Sequence, residues 1–356
     1  MSSLRRQPRV LPLLLSLALL AVSTASSAAD ETVLPAAHMI DGVPWHKQIT
    51  GISCGAGSLE IVFDYWGPDI DQKEIADVAR TSSSGTWPAD IVRTGHFSHL
   101  SAAMGRFYPS MVPEAGFTDR AIGYAAFSHA GTTFWLEDLK ALIAADIPVI
   151  VLMAYAPDGD VGHYRVVVGY DDTQSLIYFS DTWGRDIMQP SGFTGVISWS
   201  YADFETAWNY TDYSTEPFFG AVILPWQVEL SLTSKTSKKA KGTIDARITY
   251  PCPAPMDADD FPARAVIARI DLPEGMHLMD ESSVIEIGNM AAGETRTVSW
   301  RVGWDADTDL TDRTVMVTAS GIVDGSVPDA AWAGNTCYYP AYDYTDEIGG
   351  EGRLDF

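Results

Sequence analysis

Basic residues are in short supply. Across 356 residues the chain carries 23 Lys and Arg against 47 Asp and Glu, a formal net charge of −24. Nucleic acid and anionic membrane surfaces are bound through basic patches, so this balance argues against both as partners. Long apolar runs are scarce too. One stands near the start, Val10 to Val22, preceded by Arg5, Arg6 and Arg9 and followed by small residues up to Ala28-Ala29. Positive residues, a run too short for a comfortable bilayer span and a small-residue site before Asp30 predict a cleaved export signal over residues 1–29. No later stretch is long enough to cross a bilayer. The protein is expected to be secreted or periplasmic, with no membrane span after cleavage.

Cysteine is limited to Cys54, Cys252 and Cys337. In an oxidising compartment an odd count leaves one thiol over. Cys252 and Cys337 fall in the same later segment and are expected to pair there, which leaves Cys54 free. Metal-ligand spacing is missing as well. His96, His99 and His129 lie in the irregular stretch 81–134 without a ligand pattern, and Asp158-Gly159-Asp160 is only a fragment of a calcium loop. No metal or cofactor is expected.

What is present begins with Val43-Pro44-Trp45-His46-Lys47-Gln48-Ile49-Thr50-Gly51-Ile52-Ser53-Cys54-Gly55. Leu59, Val62, Phe63 and Trp66 recur at helical spacing behind Cys54 until Gly67-Pro68, so Cys54 opens an amphipathic helix. The positive end of a helix lowers the pKa of a thiol placed there, and the thiolate is the nucleophile. Gln48, six residues upstream, has an amide able to donate to a developing oxyanion.

A thiol nucleophile needs an imidazole within reach and a third group to orient it. His163 follows the turn Asp158 to Gly162 and opens an apolar strand pattern, and Asp181 ends the next one, with Asp171-Asp172 as the turn between them. Neighbouring strands would bring His163 and Asp181 together. His46, on the same loop as Gln48, reads as a surface residue. Trp87, Trp135, Trp183 and Trp199 read as core or cleft wall.

The pattern along the chain is helical first, with a further helix over Trp135 to Ile143, then a set of short strands from Pro148 to Leu224, which argues an α+β domain. From Gln227 onward only alternating β patterns and turns remain, at the spacing of an all-β sandwich. The acidic, Gly-rich end reads as disordered. The expected division is a signal over 1–29, an α+β domain over 30–225 with a loose leader at 30–42, a sandwich over 226–340 and a disordered tail over 341–356.

Pro44-x-x-x-Gln48 before Cys54-Gly55, Gly162-His163-Tyr164-x-Val166-Val167-Val168-Gly169-Tyr170-Asp171 and Tyr178-Phe179-Ser180-Asp181 resemble the papain-like cysteine peptidases of the bacteriocin-processing, double-glycine-leader group, over roughly residues 43–225. Thr182 stands where that group is expected to have Pro after the acid. The resemblance implies a peptidase domain with Cys54 as nucleophile, His163 as base, Asp181 as orienting acid and Gln48 as oxyanion donor, acting on a peptide or protein. Leu272-Pro273-Glu274-Gly275-Met276 and Ile287 to Glu294 resemble the immunoglobulin-like β-sandwiches appended to secreted enzymes. Acyl transfer to another acceptor, of transglutaminase or amidase type, and a catalytically silent surface module stay open at this level.

Overall fold

Val149–Ala154 is apolar and buried at every position, which requires a sheet covered on both faces. The structure, a computed structural model, describes residues 33–101, 120–183, 195–212, 215–234, 241–279, 282–305, 308, 310–331 and 338–356. The first part runs β1 (Ala37–Met39), α1 (Cys54–Trp66), α2 (Gln72–Val78), α3 (Pro88–Gly95), β2 (Ala125–His129), α4 (Leu136–Ala144), β3 (Val149–Ala154), β4 (Gly162–Asp171), β5 (Leu176–Ser180), β6 (Val196–Ser200), α5 (Tyr201–Trp208) and β7 (Gly220–Leu224). Its strands form one antiparallel sheet in the order β2-β7-β3-β4-β5-β6. Part of the expected leader is β1, which pairs with the end of β4.

Alternation along a strand sends successive side chains to opposite faces. Ile150, Leu152, Val166 and Val168 pack with Leu59, Val62 and Phe63 of α1 and Ile75 of α2. Val149, Val151, Met153 and Val167 pack with Leu139 and Leu142 of α4 and Phe204 and Trp208 of α5. The sheet is thus the middle of three layers, with α1 on one face and β4 directly beneath it.

The second part comprises β8 (Gln227–Ser234), β9 (Lys241–Thr249), β10 (Ala263–Asp271), β11 (Met276–Leu278), β12 (Val284–Met290), β13 (Thr295–Trp304), β14 (Thr314–Val327), β15 (Ala330–Ala331), β16 (Tyr338–Tyr339) and β17 (Tyr342–Asp355). Two four-stranded sheets, β12-β10-β14-β17 and β11-β13-β9-β8, share one core, and β15 and β16 pair separately. Ile244, Ala246 and Ile248 of β9 meet Val266 and Ala268 of β10 and Val315 and Val317 of β14 there.

Two expectations are corrected. Residues 341–356 are not a disordered tail. Instead β17 pairs with β14 over all fourteen of its residues. Its glycines, which weaken a strand in isolation, are needed for close approach to β8. A Cβ on Gly350 would lie 2.1 Å from the Trp226 carbonyl oxygen, and one on Gly352 would lie 2.0 Å from that of Val228. Its acids are not all solvated either, since Asp346 is fully buried. The second correction concerns the Cys252–Cys337 disulfide. Cys252 is a free thiol, and Cys337 lies outside the described residues. Burial, with Asp257 and Asp260 adding to it, pushes the Cys252 thiol up to about 11, so it is not poised for exchange.

The two parts meet without a linker. Trp226 is buried at the junction and stacks on Tyr250 at 4.7 Å, and Tyr250 reaches Phe127 of β2 at 6.0 Å. Arg93 of α3 donates to Asp346 at 3.0 Å, and Ser98 and Ser101 donate to the same carboxylate at 2.8 and 2.5 Å. Arg80 holds Asp90 with two hydrogen bonds of 2.7 and 2.9 Å and donates to the carbonyls of Pro328 and Pro340. Removing one partner of a buried pair leaves an uncompensated charge, which costs about 3–5 kcal/mol. Asp346→Ala is therefore expected to destabilise the folded chain by about that amount, read as a lowered midpoint in a urea titration; an unchanged midpoint would refute the pairing.

Candidate active site

Cys54 is the first residue of α1, and no acid occupies that helix's first turn. The helix starts where the Ser53 carbonyl accepts from Gly57 N at 2.9 Å, while the Ser53 hydroxyl accepts from Thr50 N at 3.0 Å. Gly55 lets α1 press on the next wall, since a Cβ there would lie 2.7 Å from Thr86 Cβ.

The antiparallel pairing of β4 with β5, with Val166 opposite Ser180, carries Asp181 beside the start of β4. His163 Nε2 lies 3.0 Å from Asp181 Oδ1, both side chains being buried. With Nε2 engaged by Asp181, Nδ1 is the nitrogen available to the thiol, and the Cys54 side chain hydrogen-bonds His163. The edge of the Tyr155 ring stands 5.3 Å from the imidazole. The structure therefore brings Cys54, His163 and Asp181 together in that order.

Electrostatics follow from burial and these neighbours. Burial alone would raise the Cys54 thiol. The hydrogen bond and charge of His163, with the backbone N–H groups of Tyr164 and Gly55, outweigh it and hold the thiol below its ordinary value. Burial and the Arg165 charge work against a charged His163, yet its hydrogen bonds to Asp181 and Cys54 raise it above the ordinary imidazole value. For Asp181, burial is overcome by the Arg165 charge and the His163 hydrogen bond, and its carboxyl lies far below the usual range. A depressed thiol beside an elevated imidazole favours a thiolate–imidazolium pair.

Gln48 is buried, and its amide is fixed at both ends: Nε2 donates to Thr50 O at 2.7 Å and Oε1 accepts from the Thr182 hydroxyl at 2.9 Å. Its backbone N–H donates to Thr182 O at 2.9 Å. The loop before Cys54 is thereby tied to the residue after Asp181. His46 faces away, bonded to Asp64 at 2.7 Å. The three other histidines weighed above are apart from the site and from one another. His96 bonds the Tyr344 hydroxyl, His99 the Ala121 carbonyl, and His129 lies against Trp135.

Arg165 and Trp45, which sequence reasoning passed over, complete the surroundings together with the Trp183 backbone. Arg165 is fully buried and donates to Asp181 Oδ2 at 2.7 Å. Trp183 N donates to Asp181 Oδ1 at 2.7 Å, and Trp45 Nε1 donates to the Asp181 carbonyl at 2.8 Å. A signal for Arg165 existed, because a charged residue inside an otherwise apolar strand pattern is buried only with a partner. A cleft of about 410 Å³ opens at Cys54, walled by residues 83–88 on one side and by Asp160, Gly162, Tyr164 and Tyr210 on the other.

A half-buried thiol at a helix start, paired with an imidazole that a carboxylate backs, is the constellation of the cysteine-type peptidases. Residues 40–216, just under half of the chain, match the model of the Peptidase_C39 like family, and the chain stands among the cysteine-type peptidases. Among solved structures it is similar to xylellain, a cysteine protease from Xylella fastidiosa, at 14% identity and a TM-score of 0.39, over 54% of this chain and 87% of that one. No curated protein matches it.

The depressed thiol gives a pH prediction. Cys54 is expected to be alkylated by iodoacetamide at pH values where an ordinary thiol is still protonated, and faster than Cys252, which serves as internal reference. In His163→Ala the onset of Cys54 alkylation should move up by about one pH unit or more, since burial is then uncompensated. Mass spectrometry of the Cys54 peptide across pH measures both, and an unmoved onset would refute the pairing.

Proposed function

We propose that the chain is an exported papain-like peptidase, related to the bacteriocin-processing group, that hydrolyses peptide bonds through Cys54, His163 and Asp181. The observation that carries this reading is the imidazole of His163 bonded to the buried carboxylate at 3.0 Å, with the thiol at the start of α1 held below its ordinary value by that same imidazole. In the mechanism His163 takes the thiol proton, and the Cys54 thiolate attacks the peptide carbonyl. Collapse of the tetrahedral adduct breaks the C–N bond, His163 gives its proton to the leaving amine, and a thioester remains. Water, deprotonated by the same imidazole, then attacks the thioester and releases the acid. Asp181 holds the ring and stabilises the imidazolium. Gln48 has one amide N–H engaged by Thr50, and its second is assigned to the oxyanion. Substrate enters the cleft at Cys54, lined on one side by Trp87 and Thr86.

Cys54→Ala is expected to abolish cleavage of a mixed peptide library, and His163→Ala to lower it by at least about a hundredfold, the scale of general acid–base catalysis. Turnover by Cys54→Ala would refute the reading. Adding an amine acceptor such as hydroxylamine separates hydrolysis from transfer: free acids as the main products support a peptidase, whereas dominant hydroxamates would support a transferase.

The export reading rests on the run Val10 to Val22 between Arg9 and Ala29, and the immunoglobulin-like reading of the second part on its two four-stranded sheets around one core. Among the described residues no helix is long and apolar enough to cross a membrane. Protein recovered outside the cytoplasm is expected to begin at Asp30 in N-terminal sequencing; recovery of an intact Met1 would exclude cleavage.

A further inference from the structure

We propose that Arg165 is the positioning residue of this site, a buried cation that fixes Asp181 behind His163 and anchors one wall of the cleft to the same point. The inference rests on the Cys54, His163 and Asp181 reading above. Arg165 has no exposed surface, and each of its three nitrogens is used. Nε donates to Asp181 Oδ2 at 2.7 Å, Nη1 to Ala154 O at 3.3 Å and Nη2 to Tyr155 O at 3.1 Å. Its guanidinium carbon stands 4.5 Å from the centre of the Trp199 ring and 5.7 Å from that of Tyr155. A planar fork with fixed donors suits such a three-point contact, and an ammonium group does not.

Two consequences follow from that placement. The first concerns the acid. The charged and titratable groups around Asp181 are His163 and Arg165 from β4, with Cys54 beyond the imidazole; Trp183 N, the Gly195 carbonyl and the Trp45 indole contact it or its backbone without charge. His163 and Trp183 share Oδ1, while Arg165 takes Oδ2. Without the guanidinium, a buried carboxyl would be left with the imidazole and the Trp183 N–H, both on Oδ1, and would take up a proton. The Arg165 charge by itself works against a charged His163, but with Asp181 protonated the ring is no longer held towards Cys54, the burial of the thiol is left uncompensated and forming the thiolate needs a higher pH. The second consequence concerns the cleft. Tyr155 opens the loop to Gly162, and its N–H donates to Val161 O at 2.7 Å. Arg165 holds the base of that loop, whose residues Asp160, Val161 and Gly162 wall the cleft.

A purely structural Arg165 would change the amount of folded protein and leave the pH at which Cys54 reacts where it was. The test is the onset of Cys54 alkylation by iodoacetamide in Arg165→Lys, Arg165→Gln and Arg165→Met, each checked for folding by circular dichroism. The onset is expected to rise in the order Lys, Gln, Met, reaching about one pH unit for Arg165→Met, equivalent to about a tenfold slower reaction at fixed pH below the onset. Lys restores most of the effect because it keeps the charge, while losing the carbonyl contacts. A wild-type onset in folded Arg165→Gln or folded Arg165→Met overturns the proposal. Failure of the underlying reading has a different signature, since wild-type Cys54 would itself react only at the pH of an ordinary thiol.

Discussion

A carboxylate with no exposed surface must find partners for both oxygens, and meeting that need at Asp181 ties together pieces of chain that are far apart in sequence. The side chain takes His163 and Arg165 from β4 and the backbone N–H of Trp183. Its own carbonyl accepts from Trp45, on the loop leading to Cys54. One residue on, Thr182 receives the Gln48 N–H at its carbonyl and gives its hydroxyl to the Gln48 amide. Gly57 of α1 lies against the same residue, where a Cβ would be 3.1 Å from Thr182 Cγ2. The helix that carries the thiol, the loop before it and the strand that carries the imidazole are all registered on residues 181–183. Buried groups of this kind are rigid because each alternative leaves a polar atom unpaired.

The same logic joins the two halves of the chain. Arg80 and Arg93, on either side of the start of α3, are buried and answered by Asp90, by Asp346 of β17 and by carbonyls of Pro328 and Pro340. The backbone adds to this, with Gly123 N donating to Glu347 O at 2.7 Å and Gly349 N to Gly123 O at 3.1 Å. Residues 83–88, immediately before and into α3, form one wall of the cleft. The second set of sheets therefore buttresses a surface that faces the thiol, and is not an appendage on a flexible linker.

How much of this was legible depended on whether a residue's role showed at an element boundary. Cys54 opens a helix, His163 follows a turn into a strand and Asp181 ends the next strand, so periodicity and turn residues were enough to single them out. The helical first half and the β-only remainder were readable for the same reason. Arg165 was passed over, because inside His163-Tyr164-Arg165-Val166-Val167 it adds nothing to the period; its charge in an apolar strand signals a buried partner, but that the partner is Asp181 depends on a long-range contact. The end of the chain was misread through composition. Acid and glycine in Tyr342 to Asp355 resemble a solvated tail, but the glycines answer the approach of Trp226 and Val228, and Asp346 answers Arg93 across the fold. Both causes are tertiary and leave no local periodic signature.

The Gln48 amide shows how far the arrangement constrains the chemistry. An amide free to flip could exchange its oxygen and nitrogen, and only a nitrogen donor could serve the oxyanion role proposed for Gln48. Here the Thr182 hydroxyl donates to Oε1 while Nε2 donates to the Thr50 carbonyl, and a flip would set nitrogen against a donor and oxygen against an acceptor. The cost of that exchange, two lost hydrogen bonds among buried groups, is about 2–6 kcal/mol, counting about 1–3 for each. One N–H of the amide is thereby committed to the loop and the other has its direction set before any substrate arrives. Because Thr182 is adjacent to Asp181, the group that orients the imidazole and the group that orients the amide lie on consecutive residues, and a shift of this strand end would disturb both together.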